Sequence, residues 1–129
     1  MKIKTEKDLE AYLVSECEAR GWDAIKFTSP GRRGVPDRII VAHYGVVVFC
    51  ELKHPNGKGV LSANQEDEQS TIQKCGGYVY NIESVKGVKN LLYYINLKCN
   101  FMKHTGKPKR FHIRNDLDSM TLQGLNYDA

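Results

Sequence analysis

No apolar stretch in this sequence approaches the ~20 residues a membrane-spanning helix needs, and the opening MKIKTEKDLEAY lacks the apolar run of a secretory signal. The expectation is a soluble protein of the cytoplasm. Its four cysteines, Cys17, Cys50, Cys75 and Cys99, form neither a CxxC pair nor a Cys/His cluster at zinc spacing. Three of them lie in apolar patterns and read as buried, reduced thiols. GxxxxGK[ST], GxSxG and HExxH are missing, which removes the P-loop, α/β-hydrolase and zincin readings. The glycine-bearing loops GRRGVPD and HPNGKG have no phosphate-cradle frame, so no organic cofactor is expected. Internal repeats and low-complexity tracts are likewise missing.

What remains is an ordinary globular composition. A chain of 129 residues, 41% hydrophobic and 26% charged, is the size of one compact domain. The net charge of +4 permits an anionic partner without demanding one. Its distribution says more. Between Lys98 and Arg114 there are six basic side chains, two histidines and no carboxylate, and residues 31–33 add GRR. A lone basic run is often a solvated tail. Two such segments flanking a carboxylate cluster point instead to nucleic acid.

Thr5 with Asp8 resembles a capping box, and Leu9, Tyr12, Leu13 and Cys17 recur at helical spacing until Gly21, which predicts a helix over about 6–20. Strands are predicted at 24–28, 37–43 and 46–53, the last two joined by a tight turn at His43-Tyr44-Gly45 and so antiparallel. Ser62 and Gln65 form a second capping box opening a polar helix to about Cys75. A strand at 78–82 follows, parallel to the third through that crossover. Ser84 caps a last helix carrying Val85, Val88, Leu91, Leu92 and Ile95. Beyond Leu97 the period is lost. The division expected is a domain over 1–97 and a basic extension over 98–129, the latter either a flexible arm or a piece that orders against a partner.

Side chains alternate along a strand, so Val47, Phe49, Glu51 and Lys53 share one face and Val48, Cys50 and Leu52 the other. Apolar residues on both faces suggest a central strand covered on each side. Asp37, at the start of the antiparallel neighbour, falls near the same end as Glu51. Two carboxylates so close repel each other, and a divalent cation with oxygen ligands, Mg²⁺ or Mn²⁺, is the usual remedy. Such a cation activates water and offsets phosphodiester charge, while a nearby lysine steadies developing negative charge. ELK alone would read as a surface ion pair. GVPD, one hairpin upstream, tips the reading toward a site.

Pro36-Asp37 followed by Glu51-Leu52-Lys53 resembles the PD-(D/E)XK nuclease superfamily. The run SPGRRGVPDRIIV…VVVFCELKHP…Q…GGYVYNI is similar to its VRR-NUC branch, in the small stand-alone form of phages and prophages. The resemblance covers roughly residues 6–84. It implies an α/β, restriction-endonuclease-like αβββαβ core, a mixed central sheet flanked by helices, to which the basic C-terminal extension is added. Asp37 and Glu51 match the metal positions, the Leu52 carbonyl would sit beside the metal, and Lys53 matches the catalytic lysine.

The superfamily also uses a helix-one glutamate. Glu6 and Glu10 both qualify, and junction resolvases place it about eleven residues before the helix-ending glycine, which selects Glu10. Gln65 matches the family's site-facing glutamine, although its cap role explains it equally. Two departures stand out: GVLSANQ replaces the proline-rich lead-in to the second helix, and the last ~30 residues match nothing in the family. The resemblance implies an Mg²⁺- or Mn²⁺-dependent endonuclease, a homodimer acting on branched DNA such as four-way junctions, in the host cytoplasm if phage-encoded. Arg32, Arg33, Arg38, Lys103, Lys107, Lys109, Arg110 and Arg114 are the expected DNA contacts. The alternative is a non-catalytic DNA-binding module on the same fold.

Overall fold

In a computed structural model of the chain, the structure describes residues 2–105. Helix α1 spans Glu6–Ala19, and strands β1 (Asp23–Lys26), β2 (Arg38–Val41) and β3 (Val47–Leu52) follow. Helix α2 (Ala63–Lys74), strand β4 (Val79–Ile82) and helix α3 (Val85–Met102) complete the order. The sheet runs β1-β2-β3-β4, antiparallel except for the parallel β3–β4 pair, as the crossover predicts. Among the described residues no helix is long and apolar enough to cross a membrane.

All three expected N-caps form. Thr5 and Asp8 exchange side-chain and backbone hydrogen bonds, Ser62 and Gln65 do the same, and the Ser84 hydroxyl accepts from the Gly87 amide. Each satisfies amide groups that a helix start otherwise leaves without partners. The His43–Gly45 turn is a short 3-10 turn with Tyr44 in the left-handed region at φ 59°.

The core lies on one face of the sheet, where Leu9, Leu13 and Cys17 of α1 and Val88, Leu91, Leu92, Ile95 and Cys99 of α3 meet Ala24, Ile40, Val48, Cys50, Leu52 and Ile82. Cys17, Cys50 and Cys99 are buried free thiols and Cys75 is exposed. Two expectations are corrected here. The period does not stop at Leu97: from Val88 it continues through Cys99 to the partly buried Met102, extending α3 by five residues. The second concerns β3, which is covered on both sides only toward its end. Its second face is buried at Glu51 but open at Val47, because α2 buries a single side chain, Gln69, and does not reach the start of the strand.

Candidate functional site

Pro36 is fully buried and brings the chain to Asp37, whose carbonyl accepts from the Phe27 amide and so extends the β1–β2 pairing by one residue. Across the other neighbour, Asp37 Oδ2 accepts from the Leu52 amide at 2.8 Å. The register Arg38↔Cys50 and Ile39↔Phe49 puts Asp37 and Glu51 on the same face at the same end of the sheet. Glu51 is 3% exposed.

Gln65 ties this pair to the helix above it. Its Nε2 donates to Glu51 Oε1 (3.1 Å), while its Oε1 accepts from Lys53 Nζ (2.9 Å) and from the Ser62 amide (2.9 Å). Lys53 Nζ stands 3.7 Å from Glu51 Oε1. The cap and site readings of Gln65 therefore hold together: one amide oxygen closes the capping box and receives the lysine. Glu51 Oε2 is buried without a hydrogen-bond partner. Burial pushes the Glu51 carboxyl up to about 8, neighbouring Asp37 adds to this by its charge and by hydrogen bonding to the protonated form, Lys53 opposes it, and Glu6 adds the smallest push.

Two close approaches brace the site. Gly34, at φ +84°, lies against the backbone of Asn64 and Gln65, where a Cβ would come within 2.4 Å of the Asn64 carbonyl carbon. No other residue fits there. Gly59 likewise lies on the Lys53 stem, with room for a Cβ only at 2.9 Å from Lys53 Cβ.

The other expected residues are disposed differently. Arg38 follows Asp37 and by strand alternation turns to the opposite face, toward α1. There it donates to the Ala24 carbonyl at 3.1 Å and pairs with Glu10 at 3.5 Å. Glu10 thus partners Arg38, and the helix-one carboxylate whose charge acts on Glu51 is Glu6. Arg38 is 19% exposed, and its Nε is buried without a hydrogen-bond partner.

Arg32 pairs with Glu68 of α2, and Arg33 is exposed in the loop leading to Asp37. Lys103 caps the C-terminal end of α3, whose 18 residues start beside the site. It therefore lies about 27 Å away along the helix, at the far end of the sheet. Lys107, Lys109, Arg110 and Arg114 lie outside the described residues. Sequence reasoning missed Gln69 and Asn81, which bond each other one helical turn beyond Gln65. The i, i+4 spacing of two glutamines on a polar helix was the available signal.

No family model matches the chain. A phage protein named "Putative nuclease p44", from Acyrthosiphon pisum secondary endosymbiont phage 1, is 47% identical over 58 residues, which are 45% of this chain and 62% of that protein. The chain thus spans less than two thirds of that relative's length. A solved structure described as a VRR_NUC domain superposes with a TM-score of 0.64 at 28% identity, covering 69% of this chain and 95% of the other. Together with the β-hairpin that carries Asp37 and Glu51, the mixed sheet and its flanking helices, this likeness bears out the architecture expected from the sequence: the chain has the fold of a VRR-NUC nuclease domain.

Proposed function

We propose that the chain is a metal-dependent DNA endonuclease, selective for branched DNA such as four-way junctions, and active in the host cytoplasm as a homodimer. The observation that carries the catalytic part is the buried, unpartnered Oε2 of Glu51 beside Asp37, with Lys53 and Gln65 holding the other oxygen. A buried carboxylate oxygen without a donor is costly unless something positive meets it. Among the described residues no three His, Cys, Asp or Glu side chains form a complete ligand set. Mg²⁺ is commonly held by one or two carboxylates and keeps several of its waters, so this reading asks for no third side-chain ligand beside Asp37 and Glu51.

Asp37, Glu51 and the Leu52 carbonyl would hold the cation, which supplies Lewis acidity and a water of lowered pKa. Lys53, fixed by Gln65, is placed to steady negative charge developing on the phosphate as the bond to the leaving oxygen lengthens. Glu6, at the first turn of α1, is the carboxylate we assign to the helix-one role, and Glu10 serves to hold Arg38. Glu6→Gln is expected to cost about tenfold or more in cleavage, the scale for a group supporting a metal site. Glu10→Gln should instead leave cleavage near wild type and lower stability by roughly 1 kcal/mol through the lost, partly buried pair. Steady-state rates beside melting curves separate the two, and a reversed ranking returns the role to Glu10.

Arg33 supports DNA contact beside the site, while Lys103, toward the opposite end of the sheet, would serve a flanking duplex or a partner's site. For the second subunit, support comes from the outer side of α3. Tyr93, Tyr94, Leu97 and Phe101 are exposed, and the last three line a groove of about 610 Å³ with Val47 and Tyr78. Two symmetric cuts on a four-way junction suit a two-fold dimer. The deciding experiment incubates purified protein with linear, nicked, flapped and four-way DNA, with and without Mg²⁺ or Mn²⁺, beside light scattering. Metal-dependent cleavage strongest on the junction and a dimer mass are expected. Binding without cleavage in either metal points to the non-catalytic module.

A further inference from the structure

Helix α2 carries Gln65 over the site, yet it has almost no apolar seam. The side chain it buries is Gln69, 6% exposed and polar. Gln69 Nε2 donates to Asn81 Oδ1 at 2.6 Å, and Asn81 Nδ2 returns a bond to Gln69 Oε1 at 3.0 Å. Asn81 stands directly beside Glu51 in the parallel register of β4 with β3. Gln65 and Gln69 are four residues apart and share one helix face. Two polar rungs therefore run side by side from α2 to the sheet, Gln65 to Glu51 and Gln69 to Asn81.

The two rungs differ in what they leave over. Gln69 and Asn81 satisfy each other, whereas Gln65 holds one Glu51 oxygen and leaves the other without a partner. Apolar contacts resist separation but tolerate sliding, because dispersion and burial are non-directional. A reciprocal amide pair tolerates neither a shift along the axis nor a rotation, since both bonds depend steeply on distance and angle. With Gln69 fixed on Asn81, Gln65 one turn earlier is set at the height where it meets Glu51 Oε1 and Lys53 Nζ.

We propose that Gln69 and Asn81 form a positioning pair for the site, fixing through α2 which oxygen of Glu51 is presented and so setting the affinity for a divalent cation. The proposal rests on the nuclease reading above for its chemistry, but cation binding can be read apart from cleavage. Asn81 is exposed, so Asn81→Ala can be made with little loss of packing, and Gln69→Met keeps most of the buried volume.

The experiment measures Mn²⁺ affinity by titration calorimetry without DNA, kcat and KM on a cleavable DNA, and melting temperature, for both single variants and the double. Each single is expected to weaken Mn²⁺ binding by about tenfold, the scale for partners standing behind a metal's ligands, and to lower kcat with KM little changed. The double should be no worse than the poorer single, since the pair acts as a unit. The exchanged pair, Gln69→Asn with Asn81→Gln, should recover part of the Mn²⁺ affinity. A lowered melting temperature with Mn²⁺ affinity and kcat unchanged would show a pair that only holds the helix, and overturns the proposal. A wild type that binds Mn²⁺ but cuts no DNA defeats the nuclease reading while the affinity series still decides the pair. A wild type that binds no Mn²⁺ defeats both.

Discussion

Asp37→Ala and Glu51→Ala should each abolish cleavage and divalent-cation binding while the chain still folds. The physical reason is that the two carboxylates are adjacent, on one face, at one end of the sheet, and the single positive charge of Lys53 beside them does not offset both. Lys53 stands 3.7 Å from Glu51 and gives its short hydrogen bond to Gln65 instead. Removing Asp37 also frees the amide of the buried Leu52, which costs about 1–3 kcal/mol. The core that holds the fold lies on the opposite face and loses nothing.

Lys53→Met separates charge from packing, because it keeps the stem on which Gly59 rests. It should bind Mn²⁺ as wild type does and lose about 10²-fold in turnover, the scale for one preorganised electrostatic group at a transition state. Calorimetry and single-turnover cleavage report the two quantities independently. Full activity of the wild type in EDTA would sink the metal reading, and unchanged turnover in Lys53→Met would remove the lysine from the chemistry.

That much of the site was legible because strand alternation is a strict rule: Asp37, Glu51 and Lys53 fall into place once the hairpin at His43–Gly45 is read. The caps were equally legible, since Thr5/Asp8 and Ser62/Gln65 state their geometry in four residues. The same alternation also puts Arg38 on the far side from Asp37, and with Arg38 goes Glu10. Helix periodicity alone could not choose between two glutamates one turn apart, because the choice depends on where α1 lies over the sheet.

The end of α3 was obscured for a different reason. Its buried stripe finishes on Cys99 and Met102, while the more conspicuous Tyr93, Tyr94, Leu97 and Phe101 point outward and blur the period. Gln69 left no apolar signature at all. A partly buried amide pair is recognised only when its partner, twelve residues away on another element, is seen beside it.

The burial of Glu51 makes a second large effect, on stability rather than rate. In the unfolded chain this carboxyl titrates near its ordinary value of 4.5, and in the metal-free fold it is pushed up to about 8 by burial and by the Asp37 charge. Between those two pH values the folded state holds a proton that the unfolded state has released. By linkage, stability falls as pH rises when the folded state binds more protons. The metal-free protein should therefore be most stable, as far as this group is concerned, below pH about 4.5 and lose that contribution as pH rises through about 8.

Glu51→Gln removes the titration while keeping the shape and an amide oxygen for Gln65 to bond. In EDTA its melting temperature should exceed that of wild type at pH 9 by roughly 5–10 °C, the equivalent of a few kcal/mol in a chain of this size. Toward pH 5 the gap should close. Added Mg²⁺ should raise wild type and not the variant, because binding to the folded state alone stabilises it by mass action. Calorimetric melting of both proteins from pH 5 to 9, with and without Mg²⁺, measures all four curves. Parallel pH profiles for the two proteins in EDTA would mean that Glu51 titrates normally in the fold. The variant expected to be the more stable at alkaline pH is also the one expected to be inactive, because the group that strains the metal-free fold is the group that would hold the cation.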